Sequence, residues 1–156
     1  MESHIPLHLA RLVSAAVLGG LLGGAAMLAV MRLITRANWA RFDMVAAVGS
    51  LVTRSRANAR PAGLLLHAAS AVVFGLLYAA GLWGFNVAEL PASLYAGILI
   101  GIVHGTVISL TLVWIVAEQH PLEEFREAGI AVGLVHFAGH VAYGAVVGLV
   151  IGLSAT

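Results

Sequence analysis

Cysteine and lysine are both absent from this chain of 156 residues, and charged residues of all kinds make up only 10% of it. Without cysteine there is neither a disulfide framework nor a thiolate metal site. A soluble domain carries about 25% charged residues, so this chain has too few to cover a surface that faces water. A soluble enzyme is therefore excluded. The net charge of +1 also gives no basic patch for nucleic acid.

Apolar residues, by contrast, make up 61% of the chain. A helix that crosses a bilayer needs about 20 mostly apolar residues. Four stretches meet this requirement, at about residues 12–34, 62–87, 90–117 and 128–153. The first is too long for the apolar part of a signal peptide, which spans about 7–15 residues, so we expect it to be retained. The sequence predicts an all-α polytopic membrane protein with four transmembrane helices in a single domain over residues 1–156.

The arginines indicate how these helices are oriented. Six of them flank or lie in the first connection, Arg126 lies in the third, and the second connection has none. Because positive charge is retained on the cytoplasmic side, we expect both termini on the periplasmic side of a bacterial inner membrane. The six arginines are Arg32, Arg36, Arg41, Arg54, Arg56 and Arg60.

The first connection is long and contains apolar residues at helical spacing. They are Trp39, Phe42, Val45, Gly49 and Val52. This pattern predicts a short amphipathic helix at about residues 39–53, which would lie on the cytoplasmic membrane interface.

The spans also show signs of an internal repeat. The second and fourth match at an offset of 69 residues, and the first and third match more weakly at an offset of 81. The aligned pairs include His67 and His136, Phe74 and Tyr143, Gly75 and Gly144, and, from the weaker match, Gly20 and Gly101. We interpret the chain as two hairpins in a parallel repeat, related by a pseudo-twofold axis along the membrane normal. Glycines at every fourth position are typical of close helix packing in lipid.

Four of the seven histidines fall inside the predicted spans. At 1.5 Å per residue, His104 and His140 lie about 18–20 Å from the cytoplasmic end, and His67 and His136 about 8–12 Å from it. Ionisable groups inside a membrane usually face the bundle interior and mark function. We therefore expect two tiers of histidine around one interior volume.

A transition-metal site is the first chemistry that such a volume could support. Neutral imidazole suits Fe, Cu or Zn, and His136 and His140 share a helix face as a ligand pair. His67 or His104 could complete the set, with Glu118 or His120 at the cytoplasmic mouth. Glu118 continues a seven-residue stripe from His104 through Thr111. The four methionines show no clustered motif for Cu(I).

Two other chemistries, and two structural interpretations, stay open. A b-type haem could be held between His67 and His136, with Gly75 and Gly144 making room for the macrocycle. A proton, ion or solute could pass along the histidines from His120 to His104. Alternatively, the chain is a structural subunit of a larger membrane complex or a homo-oligomer, or its histidines only form hydrogen bonds between helices. No nucleophile–base arrangement indicates catalytic residues, so enzymatic activity is expected only as redox chemistry of a bound metal or haem.

Several short motifs resemble those of an uncharacterised family of small four-helix bacterial inner-membrane proteins. The motifs are His67 with Phe74-Gly75, His104-Gly105, Glu118-Gln119-His120-Pro121 and residues 139–144, Gly-His-Val-Ala-Tyr-Gly. The resemblance spans most of the chain and implies a four-helix membrane protein, without implying an activity.

Overall fold

The computed structural model describes residues 4–39, 43–126 and 129–155, and every regular element among them is helical. The elements are α1 (His4–Arg36), α2 (Met44–Thr53), α3 (Arg56–Gly84), α4 (Ala92–Gln119), a 3-10 turn (Glu123–Phe125) and α5 (Ile130–Ser154). Helices α1, α3, α4 and α5 are each long and apolar enough to cross a membrane. The prediction of four apolar helices of spanning length is therefore confirmed.

Helix boundaries differ from the predicted spans mainly at α1 and α3. Helix α3 begins at Arg56, before the predicted residue 62, and runs through Pro61. Pro61 is the sixth residue of this helix, beyond its first turn, so the carbonyl of Ala57 lacks the backbone N–H that would normally bond to it. Helix α4 ends at Gln119 and His120 is extended, as expected for a residue that precedes a proline.

Helix α2 lies within the segment predicted to form an amphipathic helix but is shorter than that segment. It starts at Met44, where the Asp43 carboxylate accepts a hydrogen bond from the Ala46 N–H at 3.0 Å. Residues 40–42 lie outside the described part of the chain, and Trp39 precedes the helix. Gly49 packs closely against the backbone of α3 at Ala59 and Gly63. Helix α2 is thus packed on α3, and its position at the membrane surface stays a prediction.

Glycines bring the backbones of neighbouring helices into contact. Gly20 of α1 packs against Gly75 of α3, and Gly101 of α4 packs against Gly144 of α5. Added side chains at these positions would overlap the facing backbone. Close approach through small residues is the means by which helices associate in lipid, where there is no hydrophobic drive between them.

The long helices form a ring with three tight junctions and one loose junction. Helix α1 packs along both α3 and α5, and α5 packs along α4, whereas α3 and α4 have few contacts with each other. The central packing of the ring includes Met27, Tyr78, Tyr143, Val147 and Ile151, all of which are buried. The site described below lies beside this loose junction.

Candidate functional site

A cavity of about 240 Å³ lies inside the ring of helices. It is far larger than the roughly 10–15 Å³ that one water molecule needs. Residues from all five helices line it, including the four intramembrane histidines His67, His104, His136 and His140. We call it the histidine cavity. The expectation that these four side chains face one interior volume agrees with this arrangement.

Three of the histidines lie in direct contact. The ring centroid of His140 is 4.4 Å from that of His104 and 4.8 Å from that of His136. His136 and His140 meet because residues four apart share a face of α5. His104 comes from α4, so its contact with His140 depends on how closely α4 and α5 approach.

Two glycines of α4 allow that approach. A Cβ atom added at Gly101 would lie 2.7 Å from the carbonyl oxygen of His140. One added at Gly105 would lie 2.8 Å from the Cβ of His140. Both distances are too short for a real contact, so only glycine fits at these positions without displacing a helix. The glycine row of α4 therefore places His104 beside His140.

The ring of His104 is held by two aromatic side chains of α3. Its Nδ1 atom is 3.1 Å from the hydroxyl of Tyr78, and its ring centroid is 4.1 Å from that of Phe74. When His104 Nδ1 carries the proton and donates to Tyr78, Nε2 keeps the lone pair that a metal requires. Because a tyrosine hydroxyl can also donate, the contact orients the ring of His104 without selecting its tautomer. The contact between Tyr78 and His104, which joins two helices, did not follow from the sequence pattern.

His67 lies on the opposite side of the cavity, where α3 meets α1. Its Nε2 atom is 3.0 Å from the backbone carbonyl of Gly24. Because a carbonyl can only accept, Nε2 carries the proton and Nδ1 keeps the lone pair. His67 therefore lines the cavity while being tied to the backbone of α1.

Four buried ring nitrogens of the other three histidines have no hydrogen-bond partner in the described residues: His104 Nε2, His136 Nδ1, and Nδ1 and Nε2 of His140. Buried polar atoms are nearly always hydrogen-bonded, so a cluster of exceptions needs an explanation, such as an ion. Within the described ranges, no three histidine or carboxylate side chains are already arranged around a common point as metal ligands. Metal binding here would therefore require rotation of the rings.

Three methionines line the same cavity. They are Met27 and Met31 of α1 and Met44 of α2. The sequence showed no clustered methionine motif, and in linear order only Met27 and Met31 are close, four residues apart. Because residues four apart share one helix face, this spacing was the one sequence feature that indicated a pair of methionines at the same site. The structure brings Met44 to the same cavity from another helix, which linear order does not show.

Glu118 and His120 do not line the histidine cavity. Glu118 is exposed, and it lies 14 residues, or about 21 Å, along α4 from His104. The Thr111 side chain of the same predicted stripe is also exposed. A seven-residue stripe turns by only about 20° per repeat around a straight α-helix, so Glu118 is separated from the cavity by its distance along α4 rather than by its face.

His120 links three parts of the chain at one end of the bundle. It is fully buried. Its Nε2 lies 3.0 Å from the carbonyl of Ala47 and 3.3 Å from the hydroxyl of Ser50, both in α2. Its Nδ1 accepts a hydrogen bond from the Leu122 N–H at 3.0 Å. Both ring nitrogens are therefore engaged in holding α2 against the connection between α4 and α5.

The glycines expected to make room for a haem serve a different purpose. Gly75 packs against the α1 backbone at Gly20, and Gly144 packs against the α4 backbone at Gly101. Neither glycine opens space for a macrocycle, because the backbone of a neighbouring helix occupies the space beside it. His67 and His136, the expected axial pair, do line the same cavity.

Comparisons with known proteins give no relative for this chain. No protein-family model, no curated protein and no solved structure matches it. A functional interpretation therefore depends on the cavity and its side chains.

Proposed function

We propose that the protein binds a copper(I) ion inside the membrane and serves in metal handling. The observation that carries the proposal is the joint lining of one cavity by unpartnered histidine nitrogens and by three methionines. Thioether ligands select Cu(I), and imidazole also binds copper. His104, His136 and His140 would supply the imidazole ligands, and Met27 and Met31 the thioethers.

Charge favours copper(I) over divalent metals at this site. The residues that line the histidine cavity include neither aspartate nor glutamate. A divalent ion would bring two uncompensated charges into a low-dielectric interior, whereas Cu(I) brings one. The carboxylate and amide side chains that Mg²⁺ and Ca²⁺ prefer are also missing from the described residues that line the cavity.

We also propose that the fold is a parallel repeat of two hairpins. Gly20 packs on Gly75 in the first half, and Gly101 packs on Gly144 in the second. These are the residues that the sequence offsets of 81 and 69 align with each other. The equivalence supports the interpretation of a duplication. In this alignment His140 corresponds to Ala71. The second hairpin would therefore have gained His140, the histidine that contacts both His104 and His136.

The arginine distribution supports placing both termini on the periplasmic side of a bacterial inner membrane. In that orientation the end of the bundle that carries α2 and His120 faces the cytoplasm. The histidine cavity then lies between the membrane midplane and the cytoplasmic surface.

The test is metal analysis of the purified protein. The chain is expressed with a tag that contains no histidine, extracted in detergent, reduced, loaded with Cu(I) under anaerobic conditions and desalted. We expect one copper per chain, and loss of that copper in His140→Ala. A matched control removes His4 and His8 together, two histidines to which we assign no role, and should keep the full copper content.

The alternatives give different results in the same preparation. A Soret band in the visible spectrum of the unloaded protein would show that haem is bound, and would overturn the choice of copper. Retention of zinc but not copper would overturn the choice of metal. A folded protein that binds no metal, and whose His140→Ala variant elutes and melts like the original, would leave transport of another solute or a structural role in a complex.

A further inference from the structure

A second, larger space of about 690 Å³ lies at the end of the bundle where α1 ends and α3 and α5 begin. Its polar side is formed by Arg32, Thr35 and Arg36 of α1, by Asp43 and by Arg60 of α3. We call this space the arginine groove. The remaining residues that line it are apolar and form its floor.

We propose that the arginine groove binds an anionic phospholipid, with Arg32 and Arg36 holding the headgroup phosphate and the apolar floor holding an acyl chain. The groove adjoins the histidine cavity and shares Leu28, Met31, Met44 and Val45 with it. The proposal does not depend on copper binding, and its test involves no metal.

The charges in the groove favour an anion. The Nε atom of Arg60 donates to the Asp43 carboxylate at 2.8 Å, so these two charges compensate each other. Among the described residues, Arg32 and Arg36 have no carboxylate partner. They lie four residues apart and so share a face of α1. Two guanidinium groups on one face suit a phosphate, which arginine binds with paired hydrogen bonds.

The floor of the groove favours a lipid over free phosphate. It includes Leu28, Met31, Leu64, Val132 and Val135, contributed by three different helices. A free phosphate would leave this apolar surface uncovered, whereas an acyl chain would cover it. The groove therefore combines a cationic edge with an apolar floor, which matches the two parts of a phospholipid.

The position of the groove fits a headgroup. Arg36 is the last residue of α1, and Arg60 lies in the second turn of α3. These arginines are thus at the ends of membrane-spanning helices, the level at which lipid phosphates lie. Basic pockets between such helices are known to bind anionic headgroups.

Native mass spectrometry in detergent provides the test, with phosphatidylglycerol and phosphatidylcholine that have identical acyl chains added at equal concentration. We expect the Arg32→Gln/Arg36→Gln variant to bind phosphatidylglycerol about 25-fold more weakly than the original protein does, a loss of roughly fivefold for each arginine near a membrane surface. The control is Arg11→Gln, which removes an exposed arginine from the other end of the same helix and should change nothing.

Three results would overturn the proposal. One is equal binding of the two lipids, and another is an equal loss in Arg11→Gln, because each indicates unspecific association. The third is displacement of the lipid by a large excess of inorganic phosphate, which would assign the site to the free anion. The melting temperature in detergent without lipid, unchanged in the double variant, shows that the variant is folded.

Discussion

The imidazole rings of His104 and His140 lie 4.4 Å apart, centroid to centroid, although they belong to different helices. Glycine at positions 101 and 105 of α4 makes this possible, because a side chain at either would collide with α5 at His140. The histidine pair and the helix packing are thus consequences of the same residues. Both can be tested by adding a single methyl group.

Gly105→Ala is expected to destabilise the protein by about 1–3 kcal/mol, the usual cost of overpacking. The added methyl would push α4 away from α5 and separate His104 from His140, so copper retention should also fall. Gly81→Ala in α3 is the matched control, because nothing lies within 4 Å of a Cβ added there. Thermal unfolding in detergent and copper analysis measure the two effects. A Gly105→Ala variant as stable as Gly81→Ala would contradict the packing described for this junction.

Tyr78→Phe is expected to weaken copper binding by about 10- to 100-fold, the usual effect of losing a group that orients a metal ligand. The variant removes the hydroxyl that lies 3.1 Å from His104 Nδ1 and leaves the aromatic ring in place. Competition with a chromophoric copper(I) chelator measures the affinity. Tyr95→Phe is the control, since Tyr95 is 68% exposed on the same helix as His104. Unchanged affinity in Tyr78→Phe would remove Tyr78 from the site.

Replacing Met27 and Met31 together with leucine should change which metal is bound. Leucine has a similar volume, so the core is expected to lose little stability. Without thioethers the cavity loses its preference for Cu(I), whereas the weaker binding of Zn²⁺ by the histidines alone should not change. Parallel titrations with the two metals check this. If the double variant binds Cu(I) as tightly as the original protein does, the methionines are packing residues only.

His120→Ala is expected to destabilise the protein by about 1–3 kcal/mol without removing copper from the folded fraction. The substitution leaves the Ala47 carbonyl and the Ser50 hydroxyl without their histidine contact. Gln119→Ala, at the neighbouring exposed position, should have no effect. Limited proteolysis within α2, together with copper analysis, gives the readout. Loss of copper with α2 still protected would instead make His120 a ligand.

Reporter fusions at the C-terminus test the orientation. With both termini in the periplasm, alkaline phosphatase fused after residue 156 should be active and green fluorescent protein at the same position should be dark. A fusion within the first connection should give the opposite result. Reversed activities would place α2 and the arginine groove on the periplasmic side.

Hydropathy was sufficient to predict the four long helices, because a bilayer requires each crossing segment to be apolar over about 20 residues. The four histidines of the cavity could also be located, because ionisable groups inside a membrane turn away from lipid. Both predictions depend on properties of single helices. They need no knowledge of how the helices pack.

What the sequence could not predict depends on the spatial relationship between helices. Met27 and Met44 are apolar and resemble any other core residue until the fold brings them to the same cavity. His120 was expected at a cavity mouth, but Pro121 ends α4 and leaves His120 extended, facing α2. The contact of Tyr78 with His104 could not be predicted, because the two side chains lie on different helices.

The junction between α3 and α4 is closed by side chains, in contrast to the three glycine-lined or tightly packed junctions. Phe74 and Tyr78 meet His104 there through their rings. Tyr78 also packs against Tyr143 of α5 in the core, with ring centroids 5.5 Å apart, and Phe74 borders the same core. The aromatic rings that position His104 therefore also support the bundle. A substitution at Tyr78 would alter the histidine cluster and the packing of α5 together.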